Sequence, residues 1–403
     1  MSGEGDFVSQ SADLRVELSD LISPVQRLLG SDRANVVTWE VQPIGYAAVS
    51  LADRSLFRVT GRAQDHGQTL PWTLVLKVLR PPSGEAYPSG HSRPSRPSHW
   101  GYWAAEPLAY ASGLLDDLPG IAAPRCFGVT ERPDGKIWLW LQEVREDVGR
   151  AWPLERYGLA ARHFGRFNGA YLTGRPLPTE WWVGHERCGP RASLPAFLWH
   201  DPAALNERDE TWDHPVVRRA YHTPIAERLR RLWADDDVFY AALQRLPRTL
   251  CHYDAFRPNL FARHGPAGED QTVAIDWSYI GIGGIGEELA AMVASTLGWF
   301  EVDGGKARNL GETVFEGYLA GLRDAGWTGD AMIARLGYAI SVARYAIPFS
   351  GVAMMADEVS WESARHIWGR SLDEFVCQWP QLTYFLLDMA DEARQLIQEL
   401  HFE

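Results

Sequence analysis

The chain contains 403 residues, of which 46% are hydrophobic and 23% charged, so we expect a globular protein with two domains or lobes rather than a single core. Its formal net charge of −13 argues against a nucleic-acid partner, because no basic stretch is available to neutralise a row of phosphates. The four cysteines lie far apart, and the N-terminus lacks the basic and apolar runs of a secretory signal. These features favour a cytoplasmic protein with reduced thiols.

The first third of the chain is predicted to be rich in β-strands. Residues 14–30 place Leu, Ile and Val at helical spacing and end in a glycine, which is typical of a helix. Strand-like runs follow at residues 36–44, 56–63, 72–80, 123–129 and 136–144. The chain up to residue 144 is therefore interpreted as a β-rich unit.

The remainder of the chain is predicted to be mainly helical. Within the first third, residues 81–99 are rich in Pro, Ser and Gly and predict a mobile surface loop, and residues 100–115 predict a helix. The composition changes near residues 144–150. Helical segments follow at 154–172, 215–234, 287–300, 310–325 and 331–347. We therefore expect two domains, residues 1–144 and residues 145–403.

One apolar stretch, Leu336–Ala356, has about the length that crosses a bilayer. Arg344 lies near its middle, where a charged side chain is costly in a membrane, and Pro348 would kink a single helix. We therefore predict a buried helical hairpin and no membrane partner.

Three polar residues stand between two apolar runs in the stretch LCHYDAFRPNLF: His252, Asp254 and Asn259. A second strand-like run, TVAIDW, contains Asp276 near its end. Two short strands joined by a loop would form a hairpin and bring Asn259 close to Asp276. An amide oxygen beside a carboxylate makes the kind of oxygen-rich site that Mg²⁺ accepts. Asp254 would lie one loop away, positioned to orient a hydroxyl or to receive a proton.

This arrangement resembles the H-x-D-x-x-x-x-N and D-F-G elements of kinase-type phosphotransferases. It is most similar to the aminoglycoside phosphotransferase and choline kinase-like family of the protein kinase-like superfamily, in which H-G-D-x-x-x-x-N and I-D-W or I-D-F are usual. The resemblance implies an α+β, bilobal protein kinase-like fold. In that fold a small, β-rich N-lobe with an antiparallel sheet precedes a larger, mainly helical C-lobe.

The resemblance also implies an enzyme that transfers the γ-phosphoryl group of ATP to the alcohol group of a small acceptor, with Mg²⁺ as the metal. Asn259 and Asp276 would hold Mg²⁺, and Asp254 would orient the acceptor hydroxyl and take its proton. These are the three predicted catalytic residues. His252 is interpreted as a structural brace for the loop rather than as a base.

The resemblance implies a nucleotide-binding lysine within a strand of the first third, and Lys77 meets this requirement. It lies in the apolar run VLKVL and would position the α- and β-phosphates, paired with Glu106 on the next helix. Pro107 departs from the expected helix pattern, and we expect the helix to start or bend there.

Two further nucleotide contacts follow from the resemblance. The main chain of Glu143 and Val144, just before the composition break, would grip adenine. Gly45, the one glycine of the stretch PIGYAAVSLADRS, would belong to the segment that covers the phosphates.

Several residues depart from the family pattern. Tyr253 stands where the family usually has glycine, and Trp277 and Ser278 stand for the Phe and Gly of D-F-G. Glu288 replaces the aspartate of a downstream D-L-A helix. Arg257 has no clear counterpart and is interpreted as solvent-facing or ion-paired rather than as a phosphate ligand.

The run GIGGIG at residues 281–286 offers an alternative function. It matches the G-x-G-x-x-G pattern of NAD(P)-dependent oxidoreductases, and Glu301 follows about twenty residues later. Such a fingerprint opens a βαβ unit, whereas the stretch after Phe300 reads as helical, so this alternative is the weaker one. In a kinase-type site the glycines would instead give the backbone room beside the phosphates or the acceptor.

A catalytically inactive, kinase-like nucleotide-binding module is a second alternative. Inactive relatives typically lose the base, a metal ligand or the lysine. Asp254, Asn259, Asp276 and Lys77 are all present, which favours an active enzyme.

The small-molecule acceptor is left open by the sequence. Tryptophans and acids in the helical lobe slightly favour a cationic acceptor, such as an aminoglycoside, an amino sugar or a choline-like alcohol, over a neutral sugar. A monomer or a homodimer is expected.

Overall fold

The computed structural model describes residues 14–45, 54–81, 102–184, 209–221, 225–265, 268–345 and 347–402. The chain divides into two compact units, one of residues 1–81 and 124–144 and the other of residues 82–123 and 145–403. The segment 82–123 therefore groups with the second unit, and the division into domains 1–144 and 145–403 stays a prediction. Apart from Pro81, the predicted mobile loop at 81–99 lies outside the described residues.

The first unit consists of one helix and a five-stranded antiparallel sheet. Its elements are α1 (Leu18–Leu29), β1 (Asn35–Pro43), β2 (Arg54–Asp65), β3 (Gln68–Leu79), β4 (Cys126–Glu131) and β5 (Ile137–Gln142). The strands are ordered β1-β2-β3-β5-β4, and each neighbouring pair is antiparallel. The predicted strands and the antiparallel sheet are thereby confirmed.

Period-two alternation along β3 gives its two faces different environments. The core of the unit contains Leu21 and Val25 of α1, Leu74 and Leu76 of β3, and Trp140 of β5. Lys77 follows Leu76 in the strand, so its side chain lies on the opposite face of the sheet from this core. α1 ends at Gly30, whose φ of 67° is the left-handed conformation common at helix C-termini.

The second unit is mainly helical. Its helices are α2 (Ala105–Ala111), α3 (Leu154–Leu172), α4 (Asp209–Asp213), α5 (Pro215–Ala220), α6 (Ile225–Ala234), α7 (Asp236–Gln244), α8 (Thr296–Gly298), α9 (Ala307–Asp324), α10 (Ala331–Ala343), α11 (Ile347–Ala356), α12 (Glu358–Trp368) and α13 (Leu372–Glu399). Two strand pairs, both antiparallel, join β6 (Arg248–Cys251) to β9 (Gly281–Gly284) and β7 (Leu260–His264) to β8 (Asp270–Ala274). The predicted α+β architecture, a β-rich part and a larger helical part, is confirmed.

Several predicted helices are shorter than expected. The helix expected at 100–115 is α2, and Pro107 lies in its first turn, where a backbone N–H has no partner to lose. The segment 215–234 divides into α5 and α6. The helix expected at 331–347 ends at Ala343, so the apolar stretch around Arg344 is interrupted as predicted. No described helix is long and apolar enough to cross a membrane.

Two long helices, α3 and α9, cross at closely approaching backbones. A Cβ added to Gly165 of α3 would lie 2.2 Å from the carbonyl oxygen of Tyr318. A Cβ added to Gly317 of α9 would lie 2.1 Å from the carbonyl oxygen of Gly158. Both distances are far below van der Waals contact with rigid main-chain atoms, so the crossing requires glycine at these positions.

Gly317→Ala is therefore expected to destabilise the protein even though alanine favours helices. The free energy of unfolding, measured by urea denaturation, should fall by about 1–3 kcal/mol because the helices must separate. Glu316→Ala, at the exposed neighbouring position, is the control and should change it by less than about 0.5 kcal/mol. A Gly317→Ala protein as stable as the wild type would contradict the close crossing.

Candidate active site

The site is built on the turn that follows β6. β6 ends at Cys251, and Tyr253 has a φ of 65°, in the left-handed region. The N–H of Phe256 donates to the carbonyl oxygen of Asp254 at 3.0 Å, and the N–H of Asn259 donates to the carbonyl oxygen of Phe256 at 2.8 Å. The chain thus folds back on itself within a few residues and brings Asp254 and Asn259 together.

Asp254 and Asn259 are joined through their side chains. The Nδ2 of Asn259 donates to the Oδ2 of Asp254 at 2.8 Å and to its carbonyl oxygen at 3.0 Å. Asn259 is fully buried, whereas Asp254 is partly exposed. Since the amide nitrogen points at Asp254, the amide oxygen on the other branch of the same group is turned away from it.

Asp276 lies beside Asn259 because of the β7–β8 hairpin. Leu260 pairs with Ala274, and the N–H of Ile275 donates to the carbonyl oxygen of Asn259 at 2.9 Å. The next residue, Asp276, is partly exposed and has a φ of 60°, which ends the extended backbone. The strand predicted to run through TVAIDW therefore stops at Ala274. Asp276 thus directly follows a residue whose backbone is hydrogen-bonded to Asn259.

The donor chemistry of Asn259 and Asp276 suits a hard divalent cation such as Mg²⁺, since it combines an amide oxygen with a carboxylate. Among the described residues, no group of three or more His, Cys, Asp and Glu side chains is placed to hold a metal ion. A metal on this pair would therefore need further oxygen ligands from water or phosphate, as Mg²⁺ commonly does.

His252 braces the turn. Its Nδ1 accepts a hydrogen bond from the N–H of Asp254 at 3.1 Å, and its Nε2 lies 2.9 Å from the carbonyl oxygen of Ile275. The first contact makes Nδ1 an acceptor, so Nε2 carries the hydrogen that the Ile275 carbonyl accepts. The ring is buried edge-on against Trp277, with centroids 4.5 Å apart. Its two nitrogens connect the turn to the end of the hairpin.

Glu288 stabilises the same turn through hydrogen bonds to its backbone. Its fully buried carboxylate accepts hydrogen bonds from the N–H of His252 at 2.6 Å and from the N–H of Tyr253 at 3.0 Å. The sequence alone identifies Glu288 only as a substitute for the family's aspartate and does not predict this role. The signal that could have indicated more is the acidic pair Glu287–Glu288 directly after the glycine run.

Arg257 is ion-paired, which is one of the two interpretations from the sequence, and it is buried, so the solvent-facing interpretation is wrong. Its Nη2 lies 3.0 Å from the Oε2 of Glu146, and the guanidinium also donates to the carbonyl oxygens of Gly149, Arg150 and Leu260. The guanidinium carbon lies 4.4 Å from the ring centroid of Trp152. Arg257 therefore connects the segment before α3 to the turn after β6. Its guanidinium donors bond to protein acceptors, as expected for a structural role.

Two of the predicted nucleotide-binding residues, Lys77 and Glu106, are buried. Lys77 lies in the centre of the sheet, paired with Leu56 of β2 and Leu139 of β5, and is only 4% exposed. Glu106 lies fully buried in the first turn of α2. The two residues belong to different compact units, and their pairing stays a prediction.

Glu143 and Val144 directly follow β5, and the carboxylate of Glu143 accepts a hydrogen bond from the Nε of Arg58 at 2.6 Å. Gly45 follows β1 and is exposed, while residues 46–53 of the predicted phosphate-covering segment lie outside the described residues. The adenine contacts and the role of Gly45 stay predictions.

The glycine run forms a strand rather than a ligand-binding turn. Residues 281–284 are β9, which pairs antiparallel with β6 from Cys251–Gly281 to Arg248–Gly284. A dinucleotide fingerprint would require a turn between a parallel strand and a helix. The space beside the run is filled, because a Cβ on Gly283 would lie 1.9 Å from the hydroxyl of Tyr253. The oxidoreductase alternative and the expected room for phosphates or acceptor are both wrong.

The hairpin that carries Asp276 is anchored to α3 through a buried histidine. The Nδ1 of His163 lies 2.9 Å from the hydroxyl of Thr272 on β8, and that hydroxyl also accepts a hydrogen bond from Arg156 at 3.1 Å. A neutral His163 satisfies this contact, because the Thr272 hydroxyl can accept from Arg156 and also donate to Nδ1. Burial, assisted by the nearby charge of Arg156, lowers the pKa of His163 to about 4.

Residues 185–331 match the sequence model of the phosphotransferase enzyme family. This span contains Asp254, Asn259, Asp276 and Glu288, and the predicted family resemblance is confirmed over it. The match supports a small-molecule phosphotransferase. No curated protein matches the chain in sequence.

Solved structures resemble the chain weakly. Amicoumacin kinase hAmiN, in complex with AMP-PNP, Ca²⁺ and Ami, is 15% identical with a TM-score of 0.44, over 87% of this chain and 88% of that one. A putative aminoglycoside phosphotransferase from Ralstonia eutropha is 14% identical with a TM-score of 0.45, over 92% and 99%. The GDP and kanamycin complex of APH(2'')-IIIa is 14% identical with a TM-score of 0.45, over 94% and 99%. None of these similarities assigns a nucleotide or an acceptor to this chain.

The pKa of His163 predicts a stability loss in acid. Because its folded pKa of about 4 lies below the ordinary value of 6.5, the unfolded chain binds the proton more tightly. The contribution of neutral His163 to the free energy of unfolding is present above pH 6.5 and is lost as the pH falls towards 4. The difference in unfolding free energy between the wild type and His163→Gln should therefore shrink by about 3 kcal/mol between pH 7 and pH 4.

Chemical denaturation at a series of pH values measures this difference. His264→Gln, which makes the same substitution at an exposed position of the same hairpin, is the matched control for the chemical change itself. An offset for His163→Gln that is independent of pH would contradict a buried, neutral His163.

Proposed function

We propose that this chain, which matches the model of the phosphotransferase enzyme family over residues 185–331, transfers the γ-phosphoryl group of ATP to the alcohol group of a small acceptor. The observation that carries the proposal is the contact of Asp254 with Asn259 at 2.8 Å, together with the backbone hydrogen bond that sets Ile275 and Asp276 beside Asn259. The proposed base and the two proposed metal ligands would thereby lie on one turn and one hairpin.

Asp254 would act on the acceptor. Its carboxylate is partly exposed, and the amide of Asn259 fixes its orientation by donating to Oδ2. In this position it would accept a hydrogen bond from the acceptor hydroxyl, align the oxygen with the γ-phosphorus and take the proton as the new O–P bond forms. The bond from the γ-phosphorus to the β–γ bridging oxygen would break in the same step, and ADP would leave with that oxygen. Since phosphoryl transfer needs little covalent work from the protein, orientation is its main contribution.

Asn259 and Asp276 would hold Mg²⁺ through the amide oxygen and the carboxylate. When bound, the metal supplies positive charge that offsets the charge of the phosphates. Lys77, supported by Glu106, would bind the α- and β-phosphates, the main chain of Glu143 and Val144 would contact adenine, and Gly45 would lie in the segment over the phosphates. Lys77 and Glu106 are each buried, and a buried charge is costly when it is isolated.

The acceptor class proposed is a small hydroxylated molecule, with a slight preference for a cationic one such as an aminoglycoside, an amino sugar or a choline-like alcohol. The formal net charge of −13 supports this preference, since an acidic protein attracts cations. A panel of hydroxylated amines and neutral sugars, assayed for acceptor-dependent ADP release, separates the two classes.

Asp254→Asn should lower kcat by about 10²–10⁴-fold, because an amide of the same shape cannot take the proton. ATP binding, measured by isothermal titration calorimetry, should be retained. Asp270→Asn makes the same chemical change at an exposed position of β8 and should leave kcat unchanged. Full turnover by Asp254→Asn would remove Asp254 as the base, and ATP binding without ADP release for any acceptor would favour the inactive binding module.

Asp276→Asn should raise the Mg²⁺ concentration required for half-maximal activity by at least about 10-fold, because a charged metal ligand becomes neutral. Asparagine tolerates the left-handed backbone that Asp276 adopts, so the fold should be kept. A titration of activity with Mg²⁺ at saturating ATP measures the shift. An unchanged Mg²⁺ requirement would show that Asp276 does not hold the metal.

A further inference from the structure

Tyr253 occupies an unfavourable backbone conformation at the centre of the site. Its φ is 65°, a region that glycine enters readily and a bulky residue enters at a cost. The family usually has glycine at this position, yet here a phenol is present and is only 2% exposed. Contacts of the side chain must therefore offset the backbone strain.

The phenol is anchored by the buried carboxylate of Glu287, three residues after the end of β9. The hydroxyl of Tyr253 donates to the Oε2 of Glu287 at 3.1 Å. The Oε1 of Glu287 accepts a hydrogen bond from the N–H of Gly284 at 2.6 Å, and Arg248 lies 3.9 Å from it. Burial raises the pKa of Glu287, and the bonds from Gly284 and Tyr253 oppose this by stabilising the ionised form. The hydrogen bonds from Gly284 and Tyr253 therefore each contribute to stabilising the ionised form of this buried carboxylate.

Gly283 provides the space that the phenol fills. A Cβ built at Gly283 would lie 1.9 Å from the hydroxyl oxygen of Tyr253 and 2.7 Å from its Cζ. A Cβ at Gly281 would lie 3.4 Å from the Cε2 of the same ring. The ring thus lies across β9, and a larger residue at 283 is incompatible with a tyrosine at 253.

We propose that Tyr253 is a positioning residue for Asp254: its phenol, seated on Gly283 and bonded to Glu287, holds the turn in the left-handed conformation from which Asp254 projects. This inference rests on the proposed function of Asp254 as the base. Tyr253 immediately precedes Asp254, and the two neighbouring N–H groups are already fixed by Glu288 and His252. The phenol adds a third anchor that the glycine of other family members cannot supply.

The central test is a double-mutant cycle between Tyr253 and Gly283. Gly283→Ala should lower kcat by at least about 10-fold, because the new methyl group displaces the phenol. Adding Tyr253→Gly should recover part of this loss. Of the three atoms nearest to the new methyl group, two belong to the phenol, and only the Sγ of Cys251, at 3.2 Å, then remains. Coupling of this kind, with the double variant faster than Gly283→Ala alone, is the expected result.

Tyr253→Phe isolates the bond to Glu287. It keeps the ring on β9 and removes one hydroxyl, so kcat should fall by about 3–10-fold while KM for ATP stays within about twofold. Tyr338→Phe is the matched control, because the Tyr338 hydroxyl also has a buried partner, the carbonyl oxygen of Gly311 at 3.2 Å, away from the turn. That variant should retain the wild-type kcat. Circular dichroism at the assay temperature confirms that each variant is folded.

The outcomes separate this inference from the proposed function. If the wild type releases ADP in response to an acceptor but folded Tyr253→Phe and Tyr253→Gly match its kcat, Tyr253 is a packing residue and the positioning role is wrong. Additive effects of Tyr253→Gly and Gly283→Ala would overturn it as well. If the wild type shows no acceptor-dependent ADP release, the proposed function fails, and the positioning role fails with it.

Discussion

The two hydrogen bonds accepted by the buried carboxylate of Glu288 fix the backbone on which the candidate site depends. They come from consecutive N–H groups, those of His252 and Tyr253, at 2.6 and 3.0 Å. A buried carboxylate without donors would be costly, and so would buried N–H groups without acceptors, so each satisfies the other. As a result Asp254 leaves a turn that has little freedom to move.

This carboxylate is itself placed by the contact between α3 and α9. Asn168 of α3 donates to the carbonyl oxygen of Leu250 in β6 at 2.8 Å and accepts a hydrogen bond from the hydroxyl of Tyr318 in α9 at 2.8 Å. That hydroxyl in turn accepts a hydrogen bond from the N–H of Gly286 at 3.2 Å, and Gly286 lies two residues before Glu288. The close glycine crossing of the two helices allows Asn168 and Tyr318 to meet. Helix packing thereby sets the distance between β6 and the residue that supports its turn.

The sequence predicts the parts of this arrangement that depend on local pattern. Continuous or alternating apolar runs identify the strands of the sheet, and the spacing of Asp254, Asn259 and Asp276 identifies the turn and the hairpin. Bounds that depend on backbone detail are less predictable: the segment 215–234 divides into two helices, and β8 stops before the positive φ of Asp276. The roles of Glu287 and Glu288 depend on residues about 35 positions away, and no local pattern encodes that pairing.

Tyr253 and Gly283 show why such a pairing cannot be predicted from either residue considered alone. Taken alone, the run GIGGIG matches a fingerprint in which glycines leave backbone N–H groups open to a phosphate. In β9 the backbone groups instead pair with β6, and the missing side chains make room for protein atoms. Taken alone, Tyr253 is an unfavourable residue at a left-handed position. Together the two features are one contact, because the phenol occupies the space that the glycine leaves, so a larger residue at 283 is incompatible with a tyrosine at 253.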